Sequence, residues 1–149
     1  HPGTTNRLET LAKLKHRRDA TLPYTLARLR ALEAALIQYS EQSPERRRQA
    51  ASDLHRVANA RKAFSGQLQG LLDHDVMRAK LKTEQLLAAH AGQAGGPSAE
   101  RYTESYKRIG AVQETLRGFE REYFLLERGD AFSSDLFTFA RHVVRMAVE

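Results

Sequence analysis

A serine nucleophile needs a neighbouring base and an oxyanion hole, usually on a sharp turn with glycines nearby. Two places in the 149-residue chain invite the comparison. Ser65-Gly66 falls inside a helical pattern, where backbone N–H groups are already used, and Ser133-Ser134 reads as a helix cap. No self-contained triad is expected, and no residue of this chain is assigned a catalytic role. There is no cysteine, which excludes a thiol nucleophile, a zinc ribbon and an iron–sulfur centre. The histidines are His1, His16, His55, His74, His90 and His142, and no two lie three or four apart. A hydrolytic metal site typically needs two on one helix face plus a carboxylate, so no metal is expected. His74 lies between Asp73 and Asp75, but adjacent side chains diverge around a helix. Glu120, Glu122 and Glu127 have basic neighbours and read as surface pairing, worth a few tenths of a kcal/mol each. The Gly92 to Gly96 stretch lacks the lysine and the preceding strand of a phosphate loop. No cofactor is expected.

One polar stripe stands out. At helical spacing Ser52, His55, Asn59, Lys62, Ala63, Gly66 and Gly70 share a side, away from Leu54, Val57, Phe64 and Leu68. Glycines there would let a ligand or another backbone approach closely. Asn59 offers a donor and an acceptor on that side. From pattern alone two readings stand: a solvated asparagine, or a binding residue facing a groove.

Two basic clusters could contact phosphate: Lys13, Lys15, His16, Arg17 and Arg18, then Arg46, Arg47 and Arg48. No aromatic residues interleave with them, as stacking on single strands would require. The favoured reading is a solvated helix face. The net charge of +6 is concentrated at the front, where residues 1–30 hold 7 basic and 2 acidic side chains. A stand-alone helical adaptor or nucleic-acid-binding module using this basic start is the alternative reading.

The elements that must position these residues are helices. The chain has 21 Ala and 19 Leu against 6 Val and 2 Ile. Ala and Leu lose little freedom in a helix, whereas β-branched residues favour strands. Asn6-Arg7-Leu8-Glu9 resembles a capping box opening a short basic helix to about Asp19, with Leu8, Leu11 and Leu14 as anchors. Thr21-Leu22-Pro23 should restart the chain, and Leu22, Leu26, Leu29, Leu32, Leu36 and Tyr39 then form one apolar stripe. Ser43-Pro44-Glu45 is the next stop and start. Beyond it Ala50, Leu54, Val57, Phe64, Leu68 and Leu71 keep helical spacing, and Asp73 can recap a continuation through Val76, Met77, Leu81, Leu86 and Leu87. Whether residues 44–90 make one bent helix or two is open.

Residues 91–98 read as a mobile linker by composition. A long helix should run from about Ala99 to Arg128, with Tyr102, Tyr106, Ile109, Val112, Leu116, Phe119, Tyr123 and Leu126 as its stripe and Gly129 as its stop. Ser133 or Ser134 can cap a last helix carrying Leu136, Phe139, Ala140, Val143, Val144 and Ala147. The fold class is therefore all-α, a mostly antiparallel bundle of five or six helices in a single domain, 1–149, each helix burying one face. The apolar runs are too short to span a membrane. The chain opens without Met, no signal peptide is visible, and the last helix is still amphipathic at Glu149, so a processed or excised segment is expected.

Three segments carry a family resemblance. His1-Pro2-Gly3-Thr4-Thr5-Asn6-Arg7 resembles the Gly-aromatic-Pro-Gly-x-Thr-x-Arg segment of bacterial dipeptidyl-peptidases of serine peptidase family 46. Ala58-Asn59-x-x-Lys62-x-Phe64-x-Gly66-x-Leu68-x-Gly70-Leu71 resembles that family's Ala-Asn-x-x-Lys signature, and Tyr123 to Arg141 resembles its Glu-Arg-Gly-Asp-Ala-Phe and Leu-Phe-x-x-Ala-Arg elements. The resemblance implies a helical domain inserted into a chymotrypsin-like double β-barrel, with the Ser-His-Asp triad outside these residues on both sides. It implies a periplasmic or secreted enzyme releasing dipeptides from free N-termini, so the partners are a peptide substrate and the catalytic β-barrel of the same chain. It also implies that Asn59, by motif position, helps hold the substrate's α-amino group, while Lys62 and Gly66 match without an assigned chemistry. Nucleic acid is not an expected partner under this reading. An apolar face laid bare by excision would let two copies pair as a homodimer.

Overall fold

A computed structural model describes residues 9–128 and 134–147, apart from the side chains at 94 and 98. Six α-helices run in order among the described residues: α1 (Leu11–His16), α2 (Leu22–Glu41), α3 (Pro44–Leu72), α4 (His74–Ala94), α5 (Pro97–Glu122) and α6 (Asp135–Met146). No strand occurs among them, and the all-α class read from the Ala and Leu excess holds. The chain divides into two compact units, residues 1–110 and 111–149.

In the first unit, the expected restart at Thr21-Leu22-Pro23 does not break the chain. A π-helical stretch, Arg17–Thr21, joins α1 directly to α2. Pro23 has no N–H and its ring crowds the carbonyl four residues back. The wider π turn takes up this mismatch, and Leu22 N–H bonds to Arg17 O instead. The expected Asn6 cap lies outside the described residues. Thr10 serves, its hydroxyl accepting from Lys13 N–H at 3.3 Å.

The turn between α2 and α3 is the one the sequence announces. Ser43 is extended, its Oγ accepts from Arg46 N–H at 3.1 Å, and Pro44 opens the helix. With only two residues between them, α2 and α3 fold back as an antiparallel pair, the most extensive packing in the unit. Its core is small: Leu22, Leu26, Ala50 and Val57 are buried, and His16 of α1 joins them. Arg61 reaches across to Glu33, with Nε donating to Oε2 at 2.5 Å and Nη2 to Oε1 at 3.2 Å. This two-point bridge fixes the register of α3 on α2.

Residues 44–90 make two helices. Asp73 is extended (φ −69°, ψ 117°), and its Oδ1 accepts from Asp75 N–H at 2.8 Å and Val76 N–H at 3.4 Å. The cap satisfies the first donors of α4 and so ends α3. The expected linker at 91–98 is largely helical: α4 runs to Ala94 and α5 begins at Pro97. The reversal is confined to Gly95 and Gly96, whose φ values are +67° and +70°. With ψ near 177°, Gly95 occupies a region that is essentially glycine's alone. Gly95→Ala is expected to cost about 1–3 kcal/mol. Urea unfolding of the chain reads this directly, and a midpoint equal to wild type would contradict it.

Glu9 ties the start of the unit together. Its carboxylate meets Lys13 Nζ at 3.0 Å and Arg17 Nη1 at 2.7 Å, while Arg17 Nη2 also donates to Gln67 of α3 at 2.7 Å. From α4, Glu84 Oε1 accepts from the free Leu11 N–H of α1 at 2.5 Å. Burial acts to raise the Glu9 carboxyl, but the hydrogen bonds and charges of Arg17 and Lys13 outweigh it and hold the group below the usual carboxylate range. A carboxyl lowered on folding adds stability above its unfolded pKa and loses it as pH falls through the folded value. Unfolding free energy should therefore fall on acidification, and Glu9→Gln should flatten that fall relative to wild type. Equal acid slopes in the two proteins would count against this account.

In the second unit, the end of α5 continues as a π-helical stretch, Tyr123–Glu127. Arg141 of α6 donates through Nη1 to Leu126 O at 3.0 Å and also to Glu127 O, and Arg145 pairs with the Glu127 carboxylate. A guanidinium thus satisfies the last helical carbonyls. Gly129, expected as the stop, lies outside the described residues, as does Ser133. Ser134 caps α6, its Oγ accepting from Phe137 N–H at 3.2 Å.

The expectation that every helix buries its apolar stripe is not met. In α6, Phe137 and Arg141 are half-buried, while Leu136 is 78% and Phe139 68% exposed. Val76, Leu81, Leu86 and Leu87 of α4 are exposed as well, as are Val112 and Phe119 of α5. Beyond α5, in the π-helical stretch, Tyr123 and Leu126 are also exposed. Apolar periodicity shows which face can be buried. Burial also needs a second surface of matching length, which among the described residues α2 and α3 supply most extensively, to each other.

Candidate functional site

The polar stripe on α3 is real and faces outward. Ser52, His55, Asn59, Lys62, Ala63, Gly66 and Gly70 are all exposed, while Val57 is buried and Leu54, Phe64 and Leu68 are half-buried on the other side. The stripe is held by the α2–α3 pair beneath it. Val57 enters the core two residues before Asn59, and Arg61 bridges to Glu33 two residues after it.

Within the stripe one hydrogen bond organises the polar groups. Asn59 Nδ2 lies 2.8 Å from His55 Nε2. An amide nitrogen only donates, so with Nδ2 toward the ring the acceptor is Nε2, which must then carry no proton. The pairing follows from i,i+4 spacing, which puts both side chains one above the other on the helix. Among the described residues Asn59 Oδ1 has no hydrogen-bond partner, so an outward acceptor remains available. About two and three turns further on, a Cβ at Gly66 or at Gly70 would meet nothing within 4 Å. At these two positions α3 faces open space among the described residues.

Asn59 has no acid or base strength at neutral pH, so its amide offers hydrogen bonds and not proton transfer. Among the described residues no cluster of His, Asp and Glu is placed to hold a metal ion, and His74 is exposed at the start of α4. Tyr102 stacks on Tyr106 with ring centroids 4.6 Å apart. Burial, aided by Tyr106 and the Glu84 charge, pushes its phenol up to about 12, so it stays protonated and supplies no base.

The basic clusters are largely engaged inside the chain. Lys13 and Arg17 hold Glu9, and Arg18 holds Asp19 at 2.6 Å. Arg46 lies over the Tyr39 ring at 5.1 Å, and Arg48 pairs with Glu45 at 2.5 Å. His16 is 2% exposed and belongs to the core, not to a cationic surface. Among the described residues no helix is long and apolar enough to cross a membrane. Sequence reasoning placed Asn59 and His55 on one side but missed their bond. The spacing of four was the available signal.

Fold and stripe together describe a helical surface that presents a neutral acceptor on the same side as two open glycine positions. The family description Peptidase S46 matches residues 1–149, the full span of the chain, which therefore belongs to that family. Comparison with curated proteins and with solved structures finds no match.

Proposed function

We propose that this chain is the α-helical cap domain of an exported serine dipeptidyl-peptidase, periplasmic or secreted. In this reading residues 1–149 act as one domain over the cleft of a catalytic β-barrel in the same chain. Asn59 accepts a hydrogen bond from the substrate's free α-ammonium group. The observation that carries this is the Asn59 amide itself: its N–H is engaged by His55 at 2.8 Å and its oxygen is left as an exposed acceptor. An ammonium has only donors, so it needs such an oxygen. Peptidase S46 membership supports a peptide as the ligand.

Anchoring an N-terminus at a fixed distance from a nucleophile releases a fragment of fixed length and rejects blocked peptides. Closing of the cap on substrate would add exclusion of water. The test uses the full-length peptidase that carries this segment, assayed on one peptide with a free and with an acetylated N-terminus. Dipeptide release from the free form only is expected, with no turnover by the 149-residue segment alone. Equal turnover of the acetylated peptide would overturn the reading.

A further inference from the structure

We infer that His55 is a positioning residue that fixes which end of the Asn59 amide meets the substrate ammonium; this rests on the reading of Asn59 proposed above. An exposed asparagine has a broad, roughly two-fold χ2, so its oxygen and its NH2 group exchange places easily. Only one arrangement binds a cation. With the NH2 group outward, its N–H dipoles oppose the ammonium. His55 breaks this symmetry: Nε2 lies 2.8 Å from Asn59 Nδ2 and can accept from it. The same nitrogen, unprotonated, has nothing to give the amide oxygen. Asn59 Oδ1 is therefore turned away from His55, toward the exposed side it shares with Gly66 and Gly70. His55 never touches the substrate, and its effect runs wholly through Asn59.

The geometry demands the Nδ1–H tautomer of His55, the one that a free imidazole side chain in water disfavours. Nitrogen-15 spectra of the histidine-labelled full-length peptidase, with His55 assigned by its loss in the His55→Gln variant, read this tautomer. An Nε2–H ring overturns the inference. Kinetics on a peptide with a free N-terminus supply the second reading. His55→Ala is expected to lower kcat/KM about three- to tenfold, the effect of one freed polar side chain, almost entirely through KM. In an Asn59→Ala background, His55→Ala should change nothing further.

The outcomes separate the two claims. If Asn59→Ala leaves kcat/KM unchanged, the reading of Asn59 fails and the role of His55 falls with it. If Asn59→Ala costs activity while His55→Ala does not, Asn59 stands and the positioning role alone is overturned. Additive losses in the double variant also overturn it, because a histidine acting apart from Asn59 would give them.

Discussion

Replacing Asn59 by alanine in the full-length peptidase should lower kcat/KM on peptides with a free N-terminus by about 10- to 150-fold, while leaving the fold intact. The magnitude comes from one hydrogen bond to a charged group, about 1.5–3 kcal/mol, converted to a rate ratio. The fold should survive because Asn59 is exposed and its one partner, His55, is exposed as well. Truncation leaves no buried group without a partner, and surface changes of this kind usually move stability by less than about 0.5 kcal/mol. Asn59→Asp keeps an acceptor oxygen and should lose less than alanine does. Wild-type turnover by Asn59→Ala would remove the substrate-binding role. A large drop in thermal stability would instead place the residue in the scaffold.

The second large effect is on stability. Leu22→Ala should destabilise the 149-residue chain by about 2–5 kcal/mol in urea or thermal unfolding. Leu22 is 2% exposed, and only Leu26, Ala50 and Val57 share the buried apolar class with it among the described residues. A cavity there removes a large share of a small core. Against a typical domain stability of about 5–15 kcal/mol, that loss is a large share of the total. Leu136→Ala is the contrast. At 78% exposure the same chemical change should shift stability by less than about 0.5 kcal/mol in the same chain. Equal costs at the two positions would mean that the apolar face of α6 is buried on folding, contrary to the structure.

That contrast shows where sequence reading reached its limit. Leu22 and Leu136 both head an apolar stripe, and both are leucines at helical spacing. Periodicity treats them alike, because it reports the face of a single helix. Burial is a property of two surfaces. The two-residue turn at Gln42-Ser43 brings α3 back along α2 and so covers Leu22 and Leu26. Among the described residues nothing comparable covers Leu136 or Phe139. Most of 91–98 is helical for a related reason. Ala and Gln there continue a helix begun at His74, and only Gly95 and Gly96 take backbone angles that stop it.

Local chemistry, by contrast, was legible. The Ala and Leu excess determined an all-α chain, because side-chain entropy acts residue by residue. The caps at Ser43, Asp73 and Ser134 were readable because a capping oxygen needs only the next two or three N–H groups. The same locality put His55, Asn59, Lys62 and the two glycines on one side of α3, and motif order singled out Asn59. What only the tertiary structure decided is which side of α3 faces out. The packing of Val57 and Ala50 against α2, and the Arg61–Glu33 bridge, turn the polar stripe outward. The orientation of the Asn59 amide also waited on side-chain geometry, since residue types say only that a bond to His55 can form. Sequence sets what each helix can offer, and packing decides which of those offers is buried and which is left exposed.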